Sequence, residues 1–71
     1  MREQLDRLVA EMVERGIRLE DAVRELEKRF IDRALHATDG GLGEVAARLG
    51  IHRNTLTRKI GQYRLKRPPG G

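Results

Sequence analysis

Between Glu44 and Ile60 the chain reads EVAARLGIHRNTLTRKI, two helix-forming stretches divided by one glycine. This stretch constrains the fold more than any other. Val45, Ala46 and Leu49 fall on one face at helical spacing. Gly50 stands where that helix must end, because glycine enters the left-handed region without a Cβ penalty. Ile51 is placed to plug the corner. Leu56, Ile60 and Tyr63 then recur at four and three residues, giving the next helix a buried stripe. Its opposite face carries Arg53, Asn54, Thr57 and Arg58, with Thr55 and Lys59 on the flanks. Small Ala46 lets the two helices cross closely. A short helix, a glycine turn and a second helix that presents arginines and short polar groups make the pattern of a DNA-binding helix-turn-helix.

The remainder also reads as helix. Leu5, Leu8, Val9, Met12 and Val13 form one stripe over residues 3–15, with Gly16 as a C-cap. A second helix is predicted over residues 19–38, with Leu19, Ala22, Val23, Leu26, Phe30, Ile31, Ala34 and Leu35 on its apolar side. No Ser, Thr, Asp or Asn caps its start. Its apolar side is wider than one partner helix covers, so it is expected to pack on the first helix and on something more. Thr38, Asp39, Gly40 and Gly41 end it. The third helix is short, about 43–49, and the fourth begins near His52 or Arg53. Gly61 predicts fraying beyond it, and Pro68–Gly71 reads as a disordered tail. The fold class is all-α with four helices. One domain is expected over residues 1–67, with dimerisation helices in 1–39 and the helix-turn-helix in 40–67.

A chain of 71 residues allows one small domain and buries little apolar surface alone. With no cysteine, disulfides and thiolate metal sites are ruled out as the remedy. His36 and His52 are far apart and lack companions at ligand spacing. A partner chain is the natural solution. The reading is therefore a homodimer, with Leu5, Leu8, Met12, Val23, Leu26 and Phe30 in its interface. His36 is expected to be a partly buried structural residue. No run of apolar residues suits a spanning helix or a signal peptide, so a soluble, intracellular protein is expected.

Charge is divided along the chain. Residues 1–39 carry a net −2, whereas residues 40–71 carry +6, with Glu44 as their single acid. The positive potential therefore gathers on the second half, as a nucleic-acid reader requires. Only Phe30 and Tyr63 are aromatic, which disfavours base-stacking RNA modules. No paired acids, nucleophile–base set or phosphate-binding glycine loop stands out, so neither catalysis nor a cofactor is expected.

Within the recognition stretch, Arg53 sits in the first helical turn, from which a guanidinium can pair bidentately with guanine. Thr57 lies one turn on. Thr55 fits either a phosphate hydrogen bond or a local cap. Asn54 suits base or phosphate, while Arg58 and Lys59 suit phosphate, since long cations reach the backbone from mid-helix. Arg64, Lys66 and Arg67 either add flanking phosphate contacts or form an ordinary basic tail.

The segment LGIHRNTLTRKI resembles the helix-turn-helix of the Fis family (factor for inversion stimulation), which is also the C-terminal module of NtrC-type enhancer-binding activators. The resemblance rests on Ala46, Ala47, Leu49, Gly50, Ile51, Arg53, Thr55, Leu56, Lys59 and Ile60. It implies DNA contacts at His52, Arg53, Thr55, Thr57, Arg58 and Lys59. It also implies an intertwined dimeric four-helix core and two recognition helices closer together than one DNA turn, so that the duplex bends. A bacterial cytoplasmic or nucleoid location and work with the transcription machinery go with it. Two departures stand out. His52 replaces the usual Asn or Ser cap, and Gly41, Leu42 and Gly43 replace polar residues that would reach phosphate, which implies weaker or less selective binding. The chain is too short for the recombinase-contacting arm of the family's nucleoid protein. It is equally readable as the detached domain of an activator whose ATPase domain lies upstream. The reading from another class is a basic helical interaction module that binds an acidic protein or RNA by charge alone.

Overall fold

A computed structural model describes residues 2–39 and 41–66. The Pro68–Gly71 tail and Arg67 lie outside the described residues. Four helices follow one another: α1 (Arg2–Glu14), α2 (Leu19–Ala37), α3 (Leu42–Leu49) and α4 (Arg53–Tyr63). No strand occurs among the described residues.

The core lies between α2, α3 and α4. Ile31 and Leu35 from α2, Val45 and Ala46 from α3, and Leu56 and Ile60 from α4 are the buried apolar residues. Ala34, Leu42, Leu49, Ile51, Tyr63 and Leu65 pack around them. The helix ends explain the chain reversals. Gly16 takes φ +74° after α1; the Ile17 N–H reaches back to the Met12 carbonyl at 3.1 Å and the Gly16 N–H to the Val13 carbonyl at 3.0 Å. Arg18 precedes α2 without a side-chain cap, in keeping with the soft start read from sequence. Thr38 closes α2 in extended geometry and is buried.

α1 stands apart from this core and buries none of its residues. Leu5, Leu8, Val9 and Val13 are exposed, and Met12 is half-buried. On α2, Leu19, Val23, Leu26 and Phe30 are likewise 53–80% exposed. Within one chain, the broad apolar side of α2 therefore splits in two. Its C-terminal half packs on the helix-turn-helix, and its N-terminal half is uncovered.

Three local features go beyond the sequence reading, one of them a correction. α4 runs two residues past Gly61, to Tyr63, and Arg64 caps it in the left-handed region (φ 54°, ψ 44°). The Leu65 N–H closes this cap on the Ile60 carbonyl at 3.0 Å. His36 is exposed rather than partly buried, because it lies one residue off the Ile31–Leu35 stripe; its Nδ1–H donates to the Asp32 carbonyl at 2.8 Å. Arg24 pairs with Asp21, three residues away, at 3.5 Å.

Candidate nucleic-acid interface

The turn between α3 and α4 sets the interface. Gly50 takes φ 72°, ψ 28°, and its N–H turns back to the α3 carbonyls. The Ile51 N–H bonds the Ala46 carbonyl at 3.0 Å. These bonds satisfy carbonyls that the end of α3 would otherwise leave open. His52 then takes extended geometry as the N-cap of α4, and its Nδ1 accepts the Asn54 N–H at 3.0 Å. An imidazole nitrogen thus performs the task of an Asn or Ser oxygen. His52, which stands where the family pattern has Asn or Ser, is thus a local cap in this structure.

α4 is held by Leu56, fully buried, and Ile60, one turn further on. That anchoring turns Arg53, Asn54, Thr57 and Arg58 outward, and all four are exposed. Among the described residues, Arg53 and Arg58 form no ion pair, whereas Arg15, Arg24, Arg29 and Arg48 each pair with an acid three or four residues before them. Thr55 and Lys59 are half-buried, on the flanks. The outward face can therefore offer two unpaired guanidiniums, an amide and a hydroxyl within two turns. Charge-assisted and bidentate hydrogen bonds to base edges and phosphates are within its chemistry.

Lys59 is placed differently from the other cations. Its Nζ lies 2.6 Å from Glu27 Oε1 on α2, and the Tyr63 hydroxyl donates to the same oxygen at 2.9 Å. Lys59 and Tyr63 both hold the Glu27 carboxyl below the usual carboxylate range, against the opposing effect of burial. Burial, and then the Glu27 carboxylate, push the Tyr63 phenol up. Glu27 is the residue that local sequence patterns did not single out. Its signal was present: it stands four residues before Ile31 on the stripe that continues to Leu35. An acid on an inward stripe calls for a cation from another helix.

Val23, Leu26, Phe30, Ile31, Leu49 and Ile51, together with Glu27 and Lys59, line a largely apolar groove of about 300 Å³. Of the residues read from sequence as a dimer interface, Val23, Leu26 and Phe30 line this groove, and Leu5, Leu8 and Met12 lie on α1. Among the described residues, no group of three His, Cys, Asp or Glu side chains is placed to hold a metal ion. No helix among them is long and apolar enough to cross a membrane.

The chain is 38% identical over 53 residues to the hydrogenase transcriptional regulatory protein HoxA of Bradyrhizobium diazoefficiens. The alignment covers 75% of this chain and 11% of that relative, so the chain spans about a tenth of the relative's length. No solved structure matches the chain. The sequence profile described as "Bacterial regulatory protein, Fis family" matches residues 22–63, the segment that contributes every buried core residue. With more than half its length matched in this way, the chain belongs to the Fis family of bacterial regulatory proteins.

Proposed function

We propose that this chain is a double-stranded DNA-binding module of transcription regulation, and that it works as a homodimer. The carrying observation is the outward face of α4. Arg53, Asn54, Thr57 and Arg58 are exposed there, while Leu56 and Ile60 fix the helix from behind. α4 enters the major groove, Arg53 reads a base edge from the first turn, and Arg58 engages phosphate. Thr55 serves the flank. Family membership and the similarity to a transcriptional regulator support this reading.

The dimer is proposed on the uncovered apolar surface. Leu5, Leu8, Val23, Leu26 and Phe30 are 45–63% exposed in the single chain. So many exposed large apolar side chains on a small protein support an interface there. Residues 1–39 supply it in this reading, and residues 40–67 read DNA. Two copies of α4 then meet successive major-groove segments, and bending of the duplex adds selection by deformability.

The test is fluorescence-anisotropy binding to short duplexes across a salt series, with sedimentation to count chains. Two chains per duplex and a steep salt slope are expected. Arg53→Ala should weaken binding by about 5- to 150-fold, the loss of one bidentate base contact. Lys66→Ala should cost much less. Equal losses from the two substitutions, or binding by one chain, would refute groove reading by a dimer and assign a charge-driven interaction module instead.

A further inference from the structure

We propose that Glu27 is a positioning residue of the reading helix, which withdraws Lys59 from the DNA-contacting set and fixes the roll of α4 about its own axis. The proposal rests on the DNA-reading function above.

The geometry supports both parts. Lys59 directly follows the exposed Arg58, yet only 25% of its side chain is accessible. Its ammonium is already in a 2.6 Å charge-assisted bond to Glu27. A DNA phosphate would have to displace a carboxylate that is in position and partly desolvated, where such a bond is stronger than in water. Arg53 and Arg58 face no such competitor among the described residues. The helix therefore carries three cations in its first seven residues, of which two are available to phosphate or base.

The second part follows from helical spacing. Leu56 and Ile60 anchor α4 along one line. Lys59 and Tyr63 each follow one of these by three residues, which places them on a second line about 60° round the helix. Both donate to one Glu27 oxygen. Two lines of attachment resist roll where one does not. At a helix radius of about 5–6 Å, a roll of about 20° displaces an outward side chain by about 2 Å. That is well outside the tolerance of a base contact.

The test uses the full chain and a random-sequence duplex, titrated by anisotropy from 50 to 200 mM salt. Lys59→Met should leave the salt slope of the wild type unchanged. Glu27→Gln should release Lys59 to a phosphate and steepen the slope by about 0.9 per chain, an added salt sensitivity of about 3.5-fold over that range. The double variant should return to the wild-type slope. Lys59→Gln, which keeps an amide N–H for Glu27 while removing the charge, replaces the Met variant if that one unfolds. A slope that falls by about 0.9 on loss of Lys59, and stays put in Glu27→Gln, would overturn the proposal. On a duplex selected in vitro by the wild type, the loss from Arg53→Ala should shrink in the Glu27→Gln background. Strictly multiplicative losses would remove the positioning role. A wild type without salt-dependent duplex binding would sink the DNA-reading function itself, an outcome distinct from either of these.

Discussion

Two glycines in the helix-turn-helix should respond to the same substitution in opposite directions. Gly50 sits in the left-handed region at φ 72°, and a Cβ placed there meets no atom within 4 Å. Gly61 lies inside α4 on its exposed side, and its Cβ position is equally open. Packing therefore drops out at both sites, and the backbone alone decides. At Gly50, alanine suffers the left-handed penalty of about 1–2 kcal/mol, offset in part by the smaller entropy of the unfolded chain. The net loss should be about 1 kcal/mol. At Gly61, alanine gains about 1 kcal/mol of helix propensity. For a domain of this size each kcal/mol moves the thermal midpoint by about 4–8 °C. Gly50→Ala should therefore melt about 4–8 °C below the wild type, and Gly61→Ala about as far above it. Gly50→Asn should fall between Gly50→Ala and the wild type, since asparagine tolerates the left-handed region. Circular dichroism melts at one fixed protein concentration provide the measurement, because an associating chain has a concentration-dependent midpoint. Shifts of the same sign would refute the assignment of Gly50 as a cap and Gly61 as helix interior.

Arg64→Gly should raise the melting midpoint, since Arg64 is the one non-glycine residue at positive φ among the described residues. A lower midpoint would mean that Arg64 does more than end α4. His52→Ala should cost about 0.5–1 kcal/mol by removing the cap on Asn54 N–H, and His52→Asn should restore it; urea denaturation distinguishes the two. Glu27 should appear in the pH dependence of stability. Its folded pKa is lowered, so its contribution is complete above the ordinary carboxylate range and is lost as pH falls through the lowered value. Urea midpoints should therefore fall more steeply below about pH 4.5 for the wild type than for Glu27→Gln. Parallel curves would mean that Glu27 is not held by Lys59 and Tyr63 in solution.

The helix-turn-helix could be read from sequence because its determinants are local. The Val45–Leu49 and Leu56–Tyr63 spacings and the single Gly50 lie within about twenty residues and each dictates one feature. The errors arose where distant contacts override local preference. Gly61 is a poor helix residue, yet α4 continues past it because Tyr63 is tied to Glu27, 36 residues away, and Leu65 packs on the core. The Lys59–Glu27 pair, 32 residues apart, has no local signature beyond an acid on an inward stripe. His36 shows how sensitive a helical face is to one position: Leu35 is fully buried and its neighbour is in solvent. His52 departs from the usual cap preferences, which count side-chain oxygens and overlook an imidazole nitrogen at the same reach.

α1 is where the proposed homodimer can be tested against the single chain. None of its 13 residues is fully buried in the single chain. An isolated helix of that length is marginal in water, because nucleation is costly and few bonds repay it. Its Glu11–Arg15 pair, at 3.1 Å and well exposed, adds only a few tenths of a kcal/mol. In the proposed homodimer the apolar stripe of Leu5, Leu8, Val9 and Met12 is covered by the exposed Val23, Leu26 and Phe30 face of α2 in a second copy. α2, α3 and α4 share a core of their own and do not depend on that cover. Dilution should then melt α1 before anything else. Helical circular dichroism should fall by about a quarter, the share of α1 among all helical residues, while the remainder unfolds later as one unit. Phe30→Glu should reach the same partial state at high concentration. Its α1 amides should exchange freely, and those of Leu35 and Leu56 should stay protected. If α1 kept its helicity at dilutions where sedimentation shows single chains, the argument that a second copy holds it would fail.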